Sequence, residues 1–372
     1  MSISQHSAER APHIGTLPAG PLGTIADVDG VSVGHWTLAE GALQTGVTVI
    51  RPHRGDPFVD KVPAAASVIN GFGKSVGLVQ LDELGTLETP IALTNTFGVA
   101  ALAQAQIRAA VCANPRIGRE WSTVNPLVFE CNDGYLNDIQ ALAVTEHHFN
   151  EAFDAASTDV ASGALGAGRG MSCFDLKGGI GTASRVVGAA GRDYTVGALV
   201  LANFGRLPML TIDGMPVGRV LAERASAAEA EAVNAANAAA NATADKPEQG
   251  SIIMIVATDA PLDSRQLKRL SLRAAAGLAR TGSVYGHGSG DIALAFSTAY
   301  TVPHGADFVE LPPLVADHRM DPLFRACADS VEQAILDALW RAESVTGRDG
   351  HRRLSLRDSV PDLARLLRNS AR

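Results

Sequence analysis

Residues 241–261 read NATADKPEQGSIIMIVATDAP, and the chain changes character abruptly within them. A polar stretch ends at Gly250, and a continuous apolar run follows Ser251. A run of this kind predicts a β-strand that is covered on both faces. A serine at this border has two interpretations: small polar residues often end loops, or the chain cuts itself at the Gly250–Ser251 bond.

Composition narrows the classes of protein to consider. The chain has 372 residues, of which 46% are apolar and 19% charged, so we expect a globular protein with a large core. A formal net charge of −8 argues against nucleic acid or an anionic membrane surface as a partner. Four cysteines without short spacing predict reduced core thiols rather than a disulfide framework or a zinc site.

The N-terminal segment and the hydropathy of the chain predict a location. We expect residues 1–20, at the N-terminus of the chain, to be loosely ordered. They lack the apolar core of a secretory signal. No apolar stretch approaches the roughly 20 residues that span a bilayer. We therefore predict a cytoplasmic protein without a membrane partner.

Hydrophobic periodicity predicts alternating strands and helices. The runs typical of strands lie at 67–70, 126–130, 194–203, 251–258 and 291–298. Helical periodicity is clearest at 98–113, 263–280 and 324–343, and the alanine-rich segment 219–240 is also predicted to be helical. Asp263 or Ser264 is the predicted N-cap of the second of these helices. A sandwich of two sheets covered by helices fits this order as well as a doubly wound sheet does.

Several common motifs are absent. The sequence around Lys74 ends like a phosphate-binding loop, but Val68 stands where its first glycine is required. No G-x-S-x-G segment occurs, which excludes an ordinary α/β-hydrolase. The histidines have no spacing typical of metal ligands, so we predict no metal site.

Small polar residues are instead concentrated around glycines in four places, each at the end of a predicted strand. These places are 130–138, 200–205, 250–251 and 287–291. Each alone is compatible with a turn, because Asn, Asp and Gly are the residues that turns use. Four such places next to buried strands indicate a functional site.

The same segments carry a resemblance to a known family. The stretches ECNDGYLNDI (130–139), LVLANFG (199–205), GSIIMIVATDAPL (250–262) and GHGSGDIALAF (286–296) resemble the DmpA/BapA-type self-processing aminopeptidases, peptidase family S58. The pieces at 27–38, 69–78 and 87–99 also resemble that family, and the match runs from about residue 24 to 345. Its members act on D-amino-acid amides and esters or on β-peptides.

This resemblance implies a four-layer αββα sandwich of the N-terminal-nucleophile type. The chain would be one domain, cut into fragments 1–250 and 251–372 that assemble as a homotetramer of cleaved pairs. No cofactor is implied. The expected substrate is a small peptide, amino-acid amide or ester.

Cleavage of the Gly250–Ser251 bond would supply the base that the Ser251 hydroxyl requires. A serine hydroxyl is a poor nucleophile and requires a base. Cleavage would free the α-amine of Ser251, whose ordinary pKa of about 7.7–8.0 lets it accept the hydroxyl proton near neutral pH. Gly250 has no Cβ and tolerates the strained backbone that attack on its own carbonyl requires.

The resemblance also implies roles for other residues. Asn203 matches an amide that donates to the oxyanion, and Tyr135 matches a hydroxyl donor beside it. Ser289 and Asp291 match a pair that orients the nucleophile's amine and relays protons. The relatives that cleave β-peptides have glutamate at the position of Asp291.

An aminopeptidase also requires a carboxylate for the substrate's ammonium group. Glu130 and Asp133 are both candidates, and the sequence leaves the choice between them open because it depends on strand register. Asn132 and Asn137 would brace the same turn.

We therefore expect hydrolysis of the bond after an N-terminal amino acid, of β-, D- or L-alanyl type, through an acyl-Ser251 intermediate. One alternative is an acyltransferase of the same fold, similar to ornithine acetyltransferase. That family and the nylon-oligomer hydrolases have threonine at the cut. The other alternative is an uncleaved binding protein in which Gly250 and Ser251 only end a loop.

Overall fold

The computed structural model describes residues 11–223, 249–360 and 363. The strands are β1 (Ser32–Glu40), β2 (Leu43–Arg51), β3 (Asp60–Gly71), β4 (Thr86–Leu87), β5 (Ile91–Asn95), β6 (Leu127–Cys131), β7 (Ser172–Cys173), β8 (Leu176–Lys177), β9 (Gly179–Ala189), β10 (Arg192–Asn203), β11 (Gln249–Thr258), β12 (Gly288–Ser297), β13 (Val302–Pro303), β14 (Val345–Thr346) and β15 (Arg352–Arg353). The α-helices are α1 (Leu78–Leu84), α2 (Val99–Ala113), α3 (Glu146–Asp154), α4 (Ser264–Arg280), α5 (Asp321–Arg341) and α6 (Leu356–Ser359), and residues 217–223 are also helical.

Two sheets form the centre of the fold. The larger has the order β13-β3-β12-β11-β10-β9, with β4 paired to β3, and the smaller has the order β1-β2-β5-β6. In the larger sheet β11 lies between antiparallel β10 and parallel β12. The run after Ser251 is therefore an interior strand, which explains why it is apolar throughout.

The side chains of β11 alternate between two cores. Ile253 and Ile255 pack with Leu93 and Phe129 of the small sheet. Their neighbours, Ile252, Met254 and Val256, pack on the opposite face with apolar residues of α4 and α5. Because successive side chains of a strand point to opposite faces, one continuous apolar run fills both layers.

The outer face of the small sheet is covered by α2 and α3. Val49 and Ala92 of this sheet pack with Leu102 of α2 and Phe149 of α3. The layers are thus α2 and α3, the small sheet, the large sheet, and α4 with α5. The predicted αββα sandwich is confirmed, and the alternative of a single doubly wound sheet is wrong.

The predicted elements match the structure at their centres and differ at their ends. Asp263 is the N-cap of α4 and forms a capping box with Gln266. The predicted strand 67–70 is only the last part of β3, because the alanines before it carry no strand signal. The predicted helix 219–240 lies outside the described residues beyond position 223.

Two expectations from the sequence require correction. Residues 11–20 of the segment expected to be loose are packed: Ile14 is buried, and the Val186 N–H donates to the Pro18 carbonyl at 2.8 Å. Residues 1–10 of that segment lie outside the described residues. Cys112 is an exposed thiol on α2, unlike the three buried cysteines.

One described segment, Thr96–Ala113, is long and apolar enough to cross a membrane by length and composition alone. This differs from the expectation that no apolar stretch of the chain is long enough to span a bilayer. The window includes α2, whose Leu102 and Ala105 pack in the core formed with the small sheet. Because core helices pass the same test, this is weak evidence for a membrane span.

Candidate active site

Ser251 occupies the point where three strands of the large sheet are in register. It lies opposite Asn203 of β10 and opposite Gly290 of β12. Its Oγ accepts a hydrogen bond of 3.1 Å from the Gly290 N–H. Ser251 is largely buried, yet it lines a cleft of about 650 Å³ that opens at this end of the sheet.

Gly250 occupies a position that strongly disfavours any side chain. Its φ is +128°, in a region that L-residues with side chains rarely adopt. A Cβ built on Gly250 would lie 2.1 Å from the carbonyl oxygen of Asn203. The backbone before Ser251 is therefore pressed directly against the strand that carries Asn203.

The side chain of Asn203 is held by hydrogen bonds at both ends. Its Oδ1 accepts from the Ser172 N–H at 2.8 Å, and its Nδ2 donates to the Asn132 carbonyl at 3.0 Å. These two bonds fix the orientation of the amide. Because an amide nitrogen has two N–H groups, Asn203 can still donate a second hydrogen bond into the cleft.

Ser289 and Asp291 lie fully buried on β12, next to the Gly250–Ser251 bond. Ser289 is in register with Gly250, and Asp291 is in register with Ile252. The Ser289 Oγ donates to Asp291 Oδ1 at 2.5 Å, so the shorter acid side chain still reaches the serine. Both predicted residues therefore lie on the strand next to Ser251.

The structure separates the two candidates for ammonium binding. Glu130 lines the cleft, where its Oε1 accepts from the Lys74 N–H at 2.8 Å and its Oε2 accepts from the Thr96 hydroxyl. A Cβ built on Gly73 would lie 3.6 Å from Glu130 Oε1 and 3.7 Å from the Cα of Gly290. The Glu130 carboxylate and the Gly290 backbone therefore both lie next to Gly73.

Asp133 does not lie among the residues that line the cleft. It is fully buried, and Asn137 Nδ2 donates to its Oδ1 at 3.0 Å. Burial raises the pKa of this carboxyl to about 6, although hydrogen bonds from Thr45, Asn137 and Asn95 oppose the shift. The prediction that Asp133 could hold the substrate's ammonium is corrected, because the turn after β6 directs this side chain into the protein.

Tyr135 is on the cleft wall and is 40% exposed. Its ring stacks on His351, with 4.7 Å between centroids, and the guanidinium carbon of Arg353 lies 3.9 Å from its centroid. The Tyr135 ring is therefore held by contacts with His351 and Arg353.

Several residues that line the cleft were not predicted from the sequence to belong to the site. Besides Lys74 and Thr96, they include Asp175, Arg206 and Arg353. Lys74 and Arg206 fall in or beside the stretches that carry the family resemblance, but nothing in those stretches indicated a role. Arg353 lies beyond the predicted limit of the resemblance at about residue 345 and gave no signal.

No group of three metal-binding side chains occurs within the parts of the chain that the structure describes. The candidate chemistry is carried by the hydroxyl of Ser251, the amide of Asn203 and the acidic groups around them. Such a site is suited to acyl transfer through serine.

The sequence profile of peptidase family S58 matches residues 23–353. The chain belongs to peptidase family S58. It is 40% identical over 357 residues to the beta-peptidyl aminopeptidase BapA of Sphingosinicella microcystinivorans, covering 92% of this chain and 88% of that protein. As a member of this family it is a hydrolase, an N-terminal-nucleophile aminopeptidase.

Solved structures place the S58 fold in a wider group. The PH0078 protein from Pyrococcus horikoshii OT3 has a TM-score of 0.87 and 46% identity, with 96% of this chain and 98% of that chain covered. The L-aminopeptidase D-Ala-esterase/amidase from Ochrobactrum anthropi has a TM-score of 0.82 and 34% identity, with coverage of 96% and 98%. The latter is described as a prototype for the serine aminopeptidases and a new variant of the Ntn hydrolase fold.

Proposed function

We propose that this S58 peptidase cuts its own Gly250–Ser251 bond and then hydrolyses the bond after an N-terminal amino acid. The observation that carries the proposal is the position of Ser251. Its Oγ accepts from the Gly290 N–H inside the cleft, while the Gly250 backbone beside it leaves no room for a Cβ next to the Asn203 carbonyl. A residue that merely ended a loop would require neither contact.

Self-cleavage begins with attack of the Ser251 Oγ on the carbonyl carbon of Gly250. The hydroxyl proton passes to the departing amide nitrogen, the C–N bond breaks, and Gly250 becomes an ester on Ser251. Water then hydrolyses that ester, which leaves a carboxylate on Gly250 and a free α-amine on Ser251. In this proposal the Asn203 amide donates to the oxyanion of both steps.

Turnover uses the same serine with its new amine as the base. The amine accepts the Oγ proton as Oγ attacks the substrate carbonyl, and the proton then passes to the leaving group. An acyl-Ser251 ester remains until water hydrolyses it. The Ser289–Asp291 pair orients the amine and relays protons, and Tyr135 is the second candidate donor to the oxyanion.

Glu130 supplies the negative charge that an N-terminal ammonium requires, and it lines the cleft near Gly290. We propose substrates that begin with a β-amino acid or with D- or L-alanine, as peptides, amides or esters. The names of the relatives support this range, because one is a beta-peptidyl aminopeptidase and another an L-aminopeptidase D-Ala-esterase/amidase.

The deciding experiment is an intact-mass measurement under denaturing conditions on the wild-type chain, Ser251→Ala and Ser157→Ala. Ser157 is an exposed serine and serves as the control. We expect fragments 1–250 and 251–372 in the wild type and Ser157→Ala, and one full-length chain in Ser251→Ala. A full-length chain in all three samples would contradict self-processing.

We also propose a cytoplasmic location and a homotetramer of cleaved pairs. Light scattering on the processed protein tests the second one, since four cleaved pairs predict four times the mass of one chain. A mass equal to one chain would contradict the tetramer.

A further inference from the structure

Charged groups of opposite sign lie on opposite sides of Ser251 along the sheet. The strand order is β3-β12-β11-β10, with Ser251 on β11. Glu130 binds the backbone N–H of Lys74, just after the end of β3. Arg206 follows the end of β10, on the other side of the nucleophile. The cleft therefore carries the Glu130 carboxylate, with Lys74 beside it, at one end and guanidinium groups at the other.

Arg353 joins Arg206 at this second end. Arg206 Nη1 lies 3.5 Å, and Arg353 Nη2 lies 4.0 Å, from the same oxygen of Asp175. Their side chains are 24% and 22% exposed, so both are held partly buried in the cleft wall. The two guanidinium groups therefore lie on the same carboxylate in this wall of the cleft.

The Arg353 side chain is positioned before any ligand binds. Its Nε donates to Ser172 Oγ at 3.1 Å, and its guanidinium lies over the ring of Tyr135. A guanidinium has five N–H donors, and within the described residues the bond to Ser172 uses one of them. A planar group held in this way can bind a carboxylate through two parallel hydrogen bonds.

We propose that Arg353, with Arg206, binds the C-terminal carboxylate of the substrate, so that the preferred substrates are very short peptides with a free C-terminus. The proposal rests on the proposed function. With the ammonium at Glu130, a dipeptide would place its only peptide bond between the two charged ends, at Ser251. An extended dipeptide spans about 7 Å, and a cleft of about 650 Å³ has the size of a small-ligand site.

The test compares β-alanyl-L-alanine with β-alanyl-L-alaninamide, using the processed full-length enzyme. The measured quantity is the ratio of kcat/KM for the free acid to kcat/KM for the amide. Comparing each variant with the wild type cancels the intrinsic difference between the two leaving groups. Any general damage to the site cancels in the same way.

In Arg353→Gln we expect this ratio to fall about tenfold or more, and Arg206→Gln should lower it in the same direction. Arg353→Lys keeps the charge and should retain more of the ratio than Arg353→Gln. Arg108→Gln removes an exposed cation from α2 and serves as the control, whose ratio should stay at the wild-type value. An unchanged ratio in Arg353→Gln would overturn the proposal.

A binding measurement separates this proposal from the proposed function. The reduced-amide analogue of β-alanyl-L-alanine cannot be hydrolysed, and calorimetry can compare it with its own C-terminal amide. Tighter binding of the free acid, lost in Arg353→Gln, would support the carboxylate site even if the wild type hydrolysed neither substrate. Equal binding of the acid and the amide to the wild type would refute it while leaving the peptidase activity intact.

Discussion

Asn203 and Ser251 lie directly opposite each other in the antiparallel pair of β10 and β11. Each shares its face with the residues that pack against the small sheet, such as Leu201 and Ile253. A slip of one residue would turn one of the two side chains to the other face. The apolar pattern of these strands therefore fixes the relative position of Ser251 and Asn203, the proposed nucleophile and oxyanion donor.

Replacing Asn203 by alanine removes the amide, together with its hydrogen bonds to the Ser172 N–H and the Asn132 carbonyl. We expect kcat to fall about 10²–10³-fold, because one oxyanion donor contributes roughly 3–4 kcal/mol to the transition state. Self-processing should slow as well, since both reactions form an oxyanion next to Ser251. A time course of intact mass and steady-state kinetics on the processed fraction measure the two effects. Wild-type rates for both would rule out the role of Asn203.

Gly250→Ala should block processing and destabilise the fold. The new Cβ would meet the Asn203 carbonyl oxygen at 2.1 Å, in addition to the strain of a positive φ. Gly191 is a matched control, because its φ is +78° and nothing lies within 4 Å of a Cβ built there. Thermal unfolding and intact mass should show a small loss of stability and normal processing in Gly191→Ala. Equal behaviour of the two variants would mean that the contact with Asn203 is unimportant.

Glu130→Gln should weaken the binding of substrates that carry an N-terminal ammonium. We expect KM to rise by about tenfold or more, since the charge-assisted hydrogen bond is lost while the hydroxyl of Thr96 keeps a polar partner. The comparison is between an alanyl ester and the matching propionyl ester, which has no amine. If the variant lost activity equally on both esters, Glu130 would act on the fold or the chemistry instead of the ammonium.

Ser289→Ala should lower kcat by about 10²-fold while changing KM little. The Ser289 hydroxyl donates to Asp291 in a fully buried position, and the proposed role of the pair is to manage the proton of the Ser251 amine. Because the relevant proton belongs to that amine, the pH profile of kcat should also shift. Ser289→Thr keeps the hydroxyl and should recover part of the rate. If the pH profile of kcat were the same in Ser289→Ala as in the wild type, Ser289 would have a structural role only.

Stability should depend on pH through Asp133. Burial raises the pKa of its carboxyl from an ordinary 3.8 to about 6 in the folded state. As pH rises from 4 to 6, the unfolded chain releases this proton first, so the free energy of unfolding falls across that window. The loss for this group is on the order of 3 kcal/mol and is complete above the folded pKa.

Asp133→Asn cannot ionise and should remove that part of the pH dependence. The free energy of unfolding of the processed wild type and variant, measured with guanidinium chloride at several pH values between 4 and 7, tests this expectation. We expect the variant to gain stability relative to the wild type as pH rises through the window. A constant difference between the two proteins at all pH values would refute the assignment.

The layers of the fold could be predicted because they follow from local patterns. The continuous apolar run of β11 indicated an interior strand, and the capping residue Asp263 marked the start of α4. The N-terminal part of β3 was missed because alanines carry little strand signal, and only the neighbouring strands reveal its role. The packing of residues 11–20 on β9 was also hidden, since it depends on contacts with residues such as Arg185 that are distant in the sequence.

The residues of the site likewise fall into those that local sequence patterns predicted and those that only the three-dimensional structure revealed. Ser251, Asn203, Ser289 and Asp291 were predicted because they stand at strand ends within recognisable stretches. The choice between Glu130 and Asp133 required three-dimensional structure, since it depends on how the chain turns after β6. Arg353 reaches the cleft through a contact with Tyr135 that is 218 positions away in the sequence, and no local pattern reports such a pairing.

The interior position of β11 has a consequence for the processed enzyme. Opening the Gly250–Ser251 bond cuts the chain at the start of a strand that is hydrogen-bonded on both sides, so the two polypeptides stay joined by the sheet and by both cores. The intact precursor can fold as one molecule, at a rate independent of concentration. Once cut and unfolded, the same protein becomes two chains that must first find each other. Maturation would thus turn a unimolecular folding reaction into a bimolecular one, and the active enzyme would depend on a structure that it acquired before the cut.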